Sequence, residues 1–280
     1  MFLIIEKTKL AKEITQLVVS APEIARKARA GQFVVTVSKE NSERIPLTIA
    51  DANSHKGEIT LIFQEVGFST RELAGLNPGE GIQHILGPLG EPTHIEKFGT
   101  VICIGGGVGI AEMFPVARAM KQAGNRVIGI IGSRSKDLVI LEKELQEVCA
   151  ELFVTTNDGS YGKKGLVTDV LSDLFKVIDK STRTEYPELV YAVGPVVMMK
   201  AVSELTIGYN IKTIVSLNPV MVDATGMCGS CRVTVGGVVK FGCVDGPEFD
   251  GHQVDFEELQ KRLGAFKEKE ECANKQCVIK

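Results

Sequence analysis

Apolar positions in the first third of the chain come in short runs broken by Gly, Pro, Asn or Asp: ITQLVVSA, GQFVVTVS, RIPLTIAD, GEITLIFQEV and GIQHILGPLG. Runs of this kind predict β-strands, and their close spacing predicts an antiparallel barrel or sandwich. The opening MFLIIEKTKLAKEI reads as a first strand. From residue 100 the pattern changes. TVICIGGGVGIAEMFPVARAMKQAG reads as a buried strand, a glycine turn and a helix, and RVIGIIGS as a second buried strand. The helix of SKDLVILEKELQEVCA, the strand ELFVTTND, the helix of GLVTDVLSDLFKVI and the strand LVYAVG follow. That alternation predicts an open, mostly parallel sheet. After about residue 215 glycine and cysteine take over with brief β runs, CRVTVGG and VVKFGC, before the charged helical pattern VDFEELQKRLGAFKEKEE. The expected class is β plus α/β, with an antiparallel β-barrel over residues 1–97, a parallel α/β domain over 98–215 and a small C-terminal domain with a helical tail over 216–280.

Composition narrows the functional classes. Apolar residues make up 44% of the 280 residues and charged residues 24%, which is a globular balance rather than a disordered one. The net charge of −3, with no block of Lys and Arg, supplies no footprint for nucleic acid or an anionic membrane. No run approaches the roughly 18 apolar residues of a membrane span, and the first apolar run has no basic stretch before it. A cytoplasmic protein is expected.

The first candidate chemistry is the run Gly105, Gly106, Gly107, Val108, Gly109 between a predicted strand and a predicted helix. Glycines at such a turn let the backbone approach a pyrophosphate, and the helix N-terminus faces it with unpaired N–H groups. Ile110 fills the third glycine position of the usual dinucleotide fingerprint, so a ligand-free strand-to-helix turn stays open as an alternative. A second buried strand, in AVGPVVMMKAV, ends at Gly194 and Pro195 before a helix carrying Met198 and Met199. Two glycine-marked strand ends in one sheet support each other, while at least one of the two methionines is expected in the core. Ser133 and Arg134 stand where the second strand ends, and an arginine there suits a 2′-phosphate, which on the residues alone favours NADP. Asp158, at the end of ELFVTTND, completes the nucleotide candidates.

In the first domain, RIPLT carries Arg44, Pro46, Leu47 and Thr48, and VGFST carries Gly67, Ser69 and Thr70. An arginine can clamp a phosphate and a hydroxyl turn at a helix start can receive a pyrophosphate, although such hydroxyls are more often simple caps. His55, His84, His94 and His252 form no catalytic spacing with Ser, Asp or Glu, so no acid–base or nucleophilic catalyst is expected.

Five of the seven cysteines fall in the last quarter of the chain. Cys103 and Cys149 lie in apolar runs and are expected to be plain core residues. Cys228, Cys231 and Cys243, with Asp223 ahead of them, give Asp-x4-Cys-x2-Cys-x11-Cys, which matches the plant-type [2Fe–2S] spacing except at the first ligand. Structural zinc is the competing metal, since three cysteines and a carboxylate also suit it. Cys272 and Cys277, near the C-terminus, are expected to be bystanders.

A β domain, a nucleotide-type α/β domain and a [2Fe–2S]-like loop, in that order, resemble the ferredoxin-NADP reductase superfamily. They resemble more closely its branch of electron-transfer subunits of dihydroorotate dehydrogenase, and the resemblance runs from GQFVVTV to FGCVDG. RIPLT looks like that family's flavin-binding strand, VGFST like its flavin-phosphate turn and GPLG like its domain junction. GGGVG and AVGPVVMM look like its nicotinamide-nucleotide sites in a Rossmann-like domain. One departure divides the branch: NPVMVDATGMCGSCRV carries Asp223 where the dihydroorotate dehydrogenase subunits carry a cysteine. This stretch is similar to the small subunits of NADH-dependent reduced ferredoxin:NADP oxidoreductases, also called sulfide dehydrogenase small subunits.

The resemblance implies FAD held by the Arg44–Thr48 and Gly67–Thr70 segments, NAD(H) rather than NADP(H), and a [2Fe–2S] cluster on Asp223, Cys228, Cys231 and Cys243. It also implies a larger partner subunit with a second FAD and [4Fe–4S] clusters, ferredoxin reached through that complex, and electron bifurcation as the activity. The electron-transfer subunit of a dihydroorotate dehydrogenase remains the alternative enzyme, and a zinc-stabilised nucleotide-binding regulator the alternative without catalysis.

Overall fold

The computed structural model describes residues 1–177, 186–266, 270 and 272. Its strands are β1 (Phe2–Ala11), β2 (Ile14–Ser20), β3 (Phe33–Val37), β4 (Ile45–Asn53), β5 (Glu58–Gln64), β6 (Gly81–Ile82), β7 (His84–Leu89), β8 (Thr100–Gly106), β9 (Arg126–Ser133), β10 (Glu151–Thr156), β11 (Lys163–Lys164), β12 (Pro187–Val193), β13 (Lys212–Ser216), β14 (Arg232–Val235), β15 (Val238–Phe241) and β16 (Glu248–Asp250). Its α-helices are α1 (Pro22–Lys27), α2 (Phe68–Ala74), α3 (Gly109–Gln122), α4 (Glu142–Val148), α5 (Val167–Val177), α6 (Val196–Ile207) and α7 (Phe256–Leu263). They form two compact units. One comprises Met1–Pro92, Asn218–Pro247 and Glu257–Lys280, the other Thr93–Leu217 and Glu248–Phe256.

In the first unit, alternation along strands such as β2 sends one side chain in two to a common interior. Leu17 and Val19 of β2 pair with Leu61 and Ile59 of β5, and all four are fully enclosed. Each such side chain contributes about 1.5–3 kcal/mol relative to exposure. The strand order is β6-β1-β2-β5-β4-β3-β7. Its two edge strands are consecutive in the chain with Gln83 alone between them, so the sheet curls into a nearly closed antiparallel barrel. Leu73 of α2 and Ile24 of α1 join this core. Arg44 lies one residue before β4, not on the strand itself.

The second unit is a seven-stranded sheet in the order β11-β10-β9-β8-β12-β13-β16. Every pair is parallel except β13–β16. Val101, Ile102, Cys103 and Ile104 of β8 are all inaccessible, as a strand covered on both faces requires. Burial also pushes the Cys103 thiol up, and the Cys149 thiol up to about 11, so both are inert core residues as expected. α3 packs on β8, β9 and β12 beside α4, while α6 packs on β12 and β13 beside α5. The direction of strand addition reverses between β8 and β12, the place where open α/β sheets bind ligands at their carboxyl ends.

The segment expected to form a separate domain over 216–280 is divided instead. Residues 218–247 join the first unit, and β16 closes the edge of the parallel sheet. The physical reason is a shared core: Ala224, Cys231 and Cys243 pack with Phe33 and Val35 of β3, with Leu89, Met221 and Phe241 against them. The cysteine segment is too short to bury itself and uses the barrel wall. Cys272 is exposed, and Cys277 lies outside the described residues.

Candidate cofactor-binding sites

The switch point of the parallel sheet is built from backbone. β8 ends at Gly106, the chain turns through Gly107 at φ +59°, and α3 begins at Gly109. The N–H of Gly107 donates to the carbonyl of Gly132 at 2.8 Å, which ties the turn to β9. Close approach explains Gly109: a β-carbon there would lie 2.6 Å from the Val193 carbonyl oxygen and 2.9 Å from Cα of Gly194. A β-carbon on Gly106 would lie 2.5 Å from Sδ of Met198 and 3.0 Å from Cδ of Pro195. The two glycine-marked strand ends are therefore in contact, and α3 starts beside them, the N–H groups of Ile110 and Ala111 donating back to the carbonyls of Gly107 and Val108. Met199 is fully buried and Met198 partly so, which divides the pair into one core residue and one residue beside the turn.

Beyond the turn, the ends of β9 and β10 carry the other nucleotide candidates. Ser133 is buried and its hydroxyl donates to the carbonyl of Leu138 at 3.1 Å, so it is already occupied inside the chain. Arg134 is exposed, and its carbonyl accepts the N–H of Asp158 at 3.2 Å. The Asp158 carboxylate accepts the Ser160 hydroxyl at 2.6 Å and the Ser160 N–H at 2.9 Å, which hold it below the usual carboxylate range. This acid thus stands one strand further on than β9, after β10.

In the barrel unit the two flavin-type segments meet. The Ser69 hydroxyl donates to the carboxylate of Glu43, the neighbour of Arg44, at 2.9 Å. Thr70 serves its own helix: its hydroxyl donates to the Gly67 carbonyl at 3.1 Å and accepts the Gly67 N–H at 3.0 Å. Arg44 and Pro46 are exposed, whereas Leu47 and Thr48 are half-buried. Nothing lies within 4 Å of where a β-carbon on Gly67 would sit, so the approach to this turn is open.

The cysteine loop is less assembled. Sγ of Cys231 lies 3.2 Å from Sγ of Cys243, both buried, and both are free thiols. Burial and the Cys231 neighbour push the Cys243 thiol up to about 12. Cys228 is exposed, with its Sγ 3.0 Å from the Ser230 hydroxyl, a hydrogen bond that lowers its thiol pKa. Asp223 turns both oxygens to the loop backbone, accepting the N–H of Thr225 and the N–H of Cys228, each at 2.8 Å. Those bonds hold its carboxyl below the usual range. Among the described residues no three His, Cys, Asp or Glu side chains converge as a metal site. The donor set still suits a cluster, with a buried thiol pair, a third thiol on an open loop, and left-handed turns at Ala224, Gly226 and Gly229 that wrap the chain.

Sequence reading passed over Glu248. This residue of β16 pairs with Ser216, and its carboxyl is enclosed, accepting the Thr93 hydroxyl at 2.5 Å and hydrogen-bonding Tyr191. Burial pushes it up to about 7. A lone acid in GPEFDG carries no periodic pattern that would have marked it as interior.

Two family models match the chain. The family model described as the iron-sulfur cluster binding domain of dihydroorotate dehydrogenase B matches residues 218–255, and the oxidoreductase NAD-binding domain matches 103–204. The dihydroorotate dehydrogenase B (NAD(+)) electron transfer subunit homolog of Thermotoga maritima is 44% identical over 95% of this chain and 92% of that protein. The chain belongs to the dihydroorotate dehydrogenase B electron-transfer subunit family. This family member carries an NAD-binding domain and an iron–sulfur domain on a ferredoxin-reductase-like fold, and it is an oxidoreductase subunit. A chain of the NADH-dependent reduced ferredoxin-NADP oxidoreductase, solved for insight into flavin-based electron bifurcation, superposes with TM-score 0.92 at 42% identity. It covers 99% of this chain and 98% of that one. The dihydroorotate dehydrogenase B electron transfer subunit of Geobacillus sp. is more distant, 30% identical over 90% of this chain and 96% of that protein. Among the described residues no helix is long and apolar enough to cross a membrane.

Proposed function

We propose that this family member is the small flavin and iron–sulfur subunit of an electron-bifurcating, NADH-dependent ferredoxin:NADP oxidoreductase in the cytoplasm. The observation that carries this reading is the match of nearly the whole chain, at TM-score 0.92 and 42% identity, to a chain of the bifurcating oxidoreductase. Asp223, in place of the first cysteine of the loop, supports the same branch, whereas the 44% identity to the Thermotoga maritima homolog belongs to the family as a whole. The assigned partner is a larger subunit with a second FAD and [4Fe–4S] clusters, through which ferredoxin is reached.

When bound, FAD exchanges a hydride with NAD(H) and a [2Fe–2S] cluster carries the electrons singly. The chain's own residues orient these groups. Gly105, Gly106, Gly107, Val108 and Gly109 bring backbone close to the pyrophosphate of NAD(H), and Gly194, Pro195 and Met198 form the opposing wall. Asp158 answers a ribose hydroxyl and disfavours a 2′-phosphate, while Ser133 stays with Leu138, so NAD(H) is favoured over NADP(H). Arg44 supplies the cation for the FAD phosphates beside Pro46, Leu47 and Thr48, and the turn that starts at Gly67 presents the backbone N–H groups of Ser69 and Thr70. Ser69 serves a phosphate by leaving Glu43. Cys228, Cys231, Cys243 and Asp223 are the proposed cluster ligands; Asp223 acts by turning one oxygen from its backbone partners.

Purification with the native partner, followed by flavin, iron and sulfide analysis and by flavin reduction with NADH against NADPH, tests the reading. The expected result is FAD, iron and sulfide in the small subunit, a co-purifying partner with further flavin and iron, and faster reduction by NADH. A partner that oxidises dihydroorotate would transfer the assignment to the other branch of the family, and a colourless, zinc-containing protein would overturn it.

A further inference from the structure

Two contacts on the cysteine loop lie outside the ligand set. The Ser230 hydroxyl sits 3.0 Å from Sγ of Cys228. The Ser230 carbonyl accepts a hydrogen bond from the guanidinium of Arg262, near the end of α7, at 2.9 Å. Arg232 makes the parallel contact one residue earlier, donating to the Gly229 carbonyl at 3.1 Å. The two residues between Cys228 and Cys231 are thus each held through their carbonyls by an arginine, and one aims a hydroxyl at a sulfur.

A cysteine that ligates iron is a thiolate and can only accept, so the Ser230 hydroxyl must then be the donor. Reduction adds a negative charge to a cluster, and a hydrogen bond to a ligand sulfur stabilises that charge. Such bonds and nearby charge are among the levers that set iron–sulfur potentials. A serine hydroxyl rotates freely, so the bond persists only where the backbone of Ser230 is fixed. Arg262 fixes it, from a helix remote in sequence.

We propose that Ser230 raises the reduction potential of the cluster by donating to Sγ of Cys228, and that Arg262 is the positioning residue that keeps this donor in place. The proposal rests on the cluster reading above. Its test is an EPR-monitored redox titration of the native complex, with iron and sulfide analysis of every sample. Ser230→Ala is expected to keep full iron and shift the midpoint of the cluster to lower potential, and Ser230→Thr to restore it. Arg262→Gln is expected to shift it the same way by less, and Arg262→Lys to recover part of the loss. An Ala variant with full iron and an unchanged midpoint overturns the proposal. So does an Ala variant that loses its iron, because Ser230 would then serve assembly rather than tuning. Wild-type protein without iron would instead remove the cluster reading itself.

Discussion

In the glycine turns of the parallel sheet, the backbone of the proposed nucleotide site is set by close packing alone. Gly106, Gly109 and Gly194 are packed so closely that an added β-carbon would meet neighbouring atoms within 3 Å. In the cysteine loop the turns are also in place, at Ala224, Gly226 and Gly229, yet the donor atoms are spread. Only Cys231 and Cys243 adjoin; Cys228 faces Ser230, and Asp223 faces its own backbone. The difference follows from which atoms do the binding. Recognition by peptide N–H groups is fixed once the strands and helix pack, whereas convergence of negatively charged ligands is unfavourable until a metal pays for it.

Replacing one of the buried thiols breaks the second region most completely. Cys231→Ala is expected to abolish the cluster, read as loss of iron and sulfide, while NADH still reduces the flavin. Gly109→Ala is the matching break in the first region. Its β-carbon would press on Val193 and Gly194, costing about 1–3 kcal/mol of stability and much of the NADH affinity, with iron content unchanged. A thermal melt and a nucleotide titration check both parts.

A sharper variant is Asp223→Asn, which removes the charge and keeps one oxygen, enough for one of the Thr225 and Cys228 N–H groups that the two carboxylate oxygens now accept. Reduced iron occupancy would mark Asp223 as a ligand, and full occupancy would leave it a turn residue. The smallest change concerns Glu248. Its folded pKa of about 7 stands above the ordinary 4.5, so the folded chain holds the extra proton between those values. Stability therefore falls as pH rises through that window. Glu248→Gln is expected to raise the melting temperature at pH 8 and leave it nearly unchanged at pH 4.

The alternation from Thr100 to Val193 was legible because strands covered on both faces read as unbroken apolar runs, and the glycine turns sit between them. Ligand spacing in the loop was legible too. The partners of polar side chains were not. Nothing in GSRS shows that Ser133 spends its hydroxyl on Leu138, and nothing in QKRLG shows that Arg262 reaches Ser230. Nor does a short run such as EFD reveal that it completes a sheet. Each of these depends on which distant backbone comes alongside, and periodicity carries no information about that. The joining of residues 218–247 to the barrel has the same origin, since Ala224, Cys231 and Cys243 find their apolar contacts on β3 rather than among themselves.

The pairing of Ser216 with Glu248 has a consequence for how such a chain can be assembled from parts. The polypeptide leaves the parallel sheet after Ser216 and re-enters it at the adjacent rung, so the whole excursion through 218–247 begins and ends at one doorway. Such a segment is a cassette. Its removal would interrupt no strand of the parallel sheet but would uncover Phe33 and Val35 on the barrel wall, so any segment in its place has to cover those two side chains.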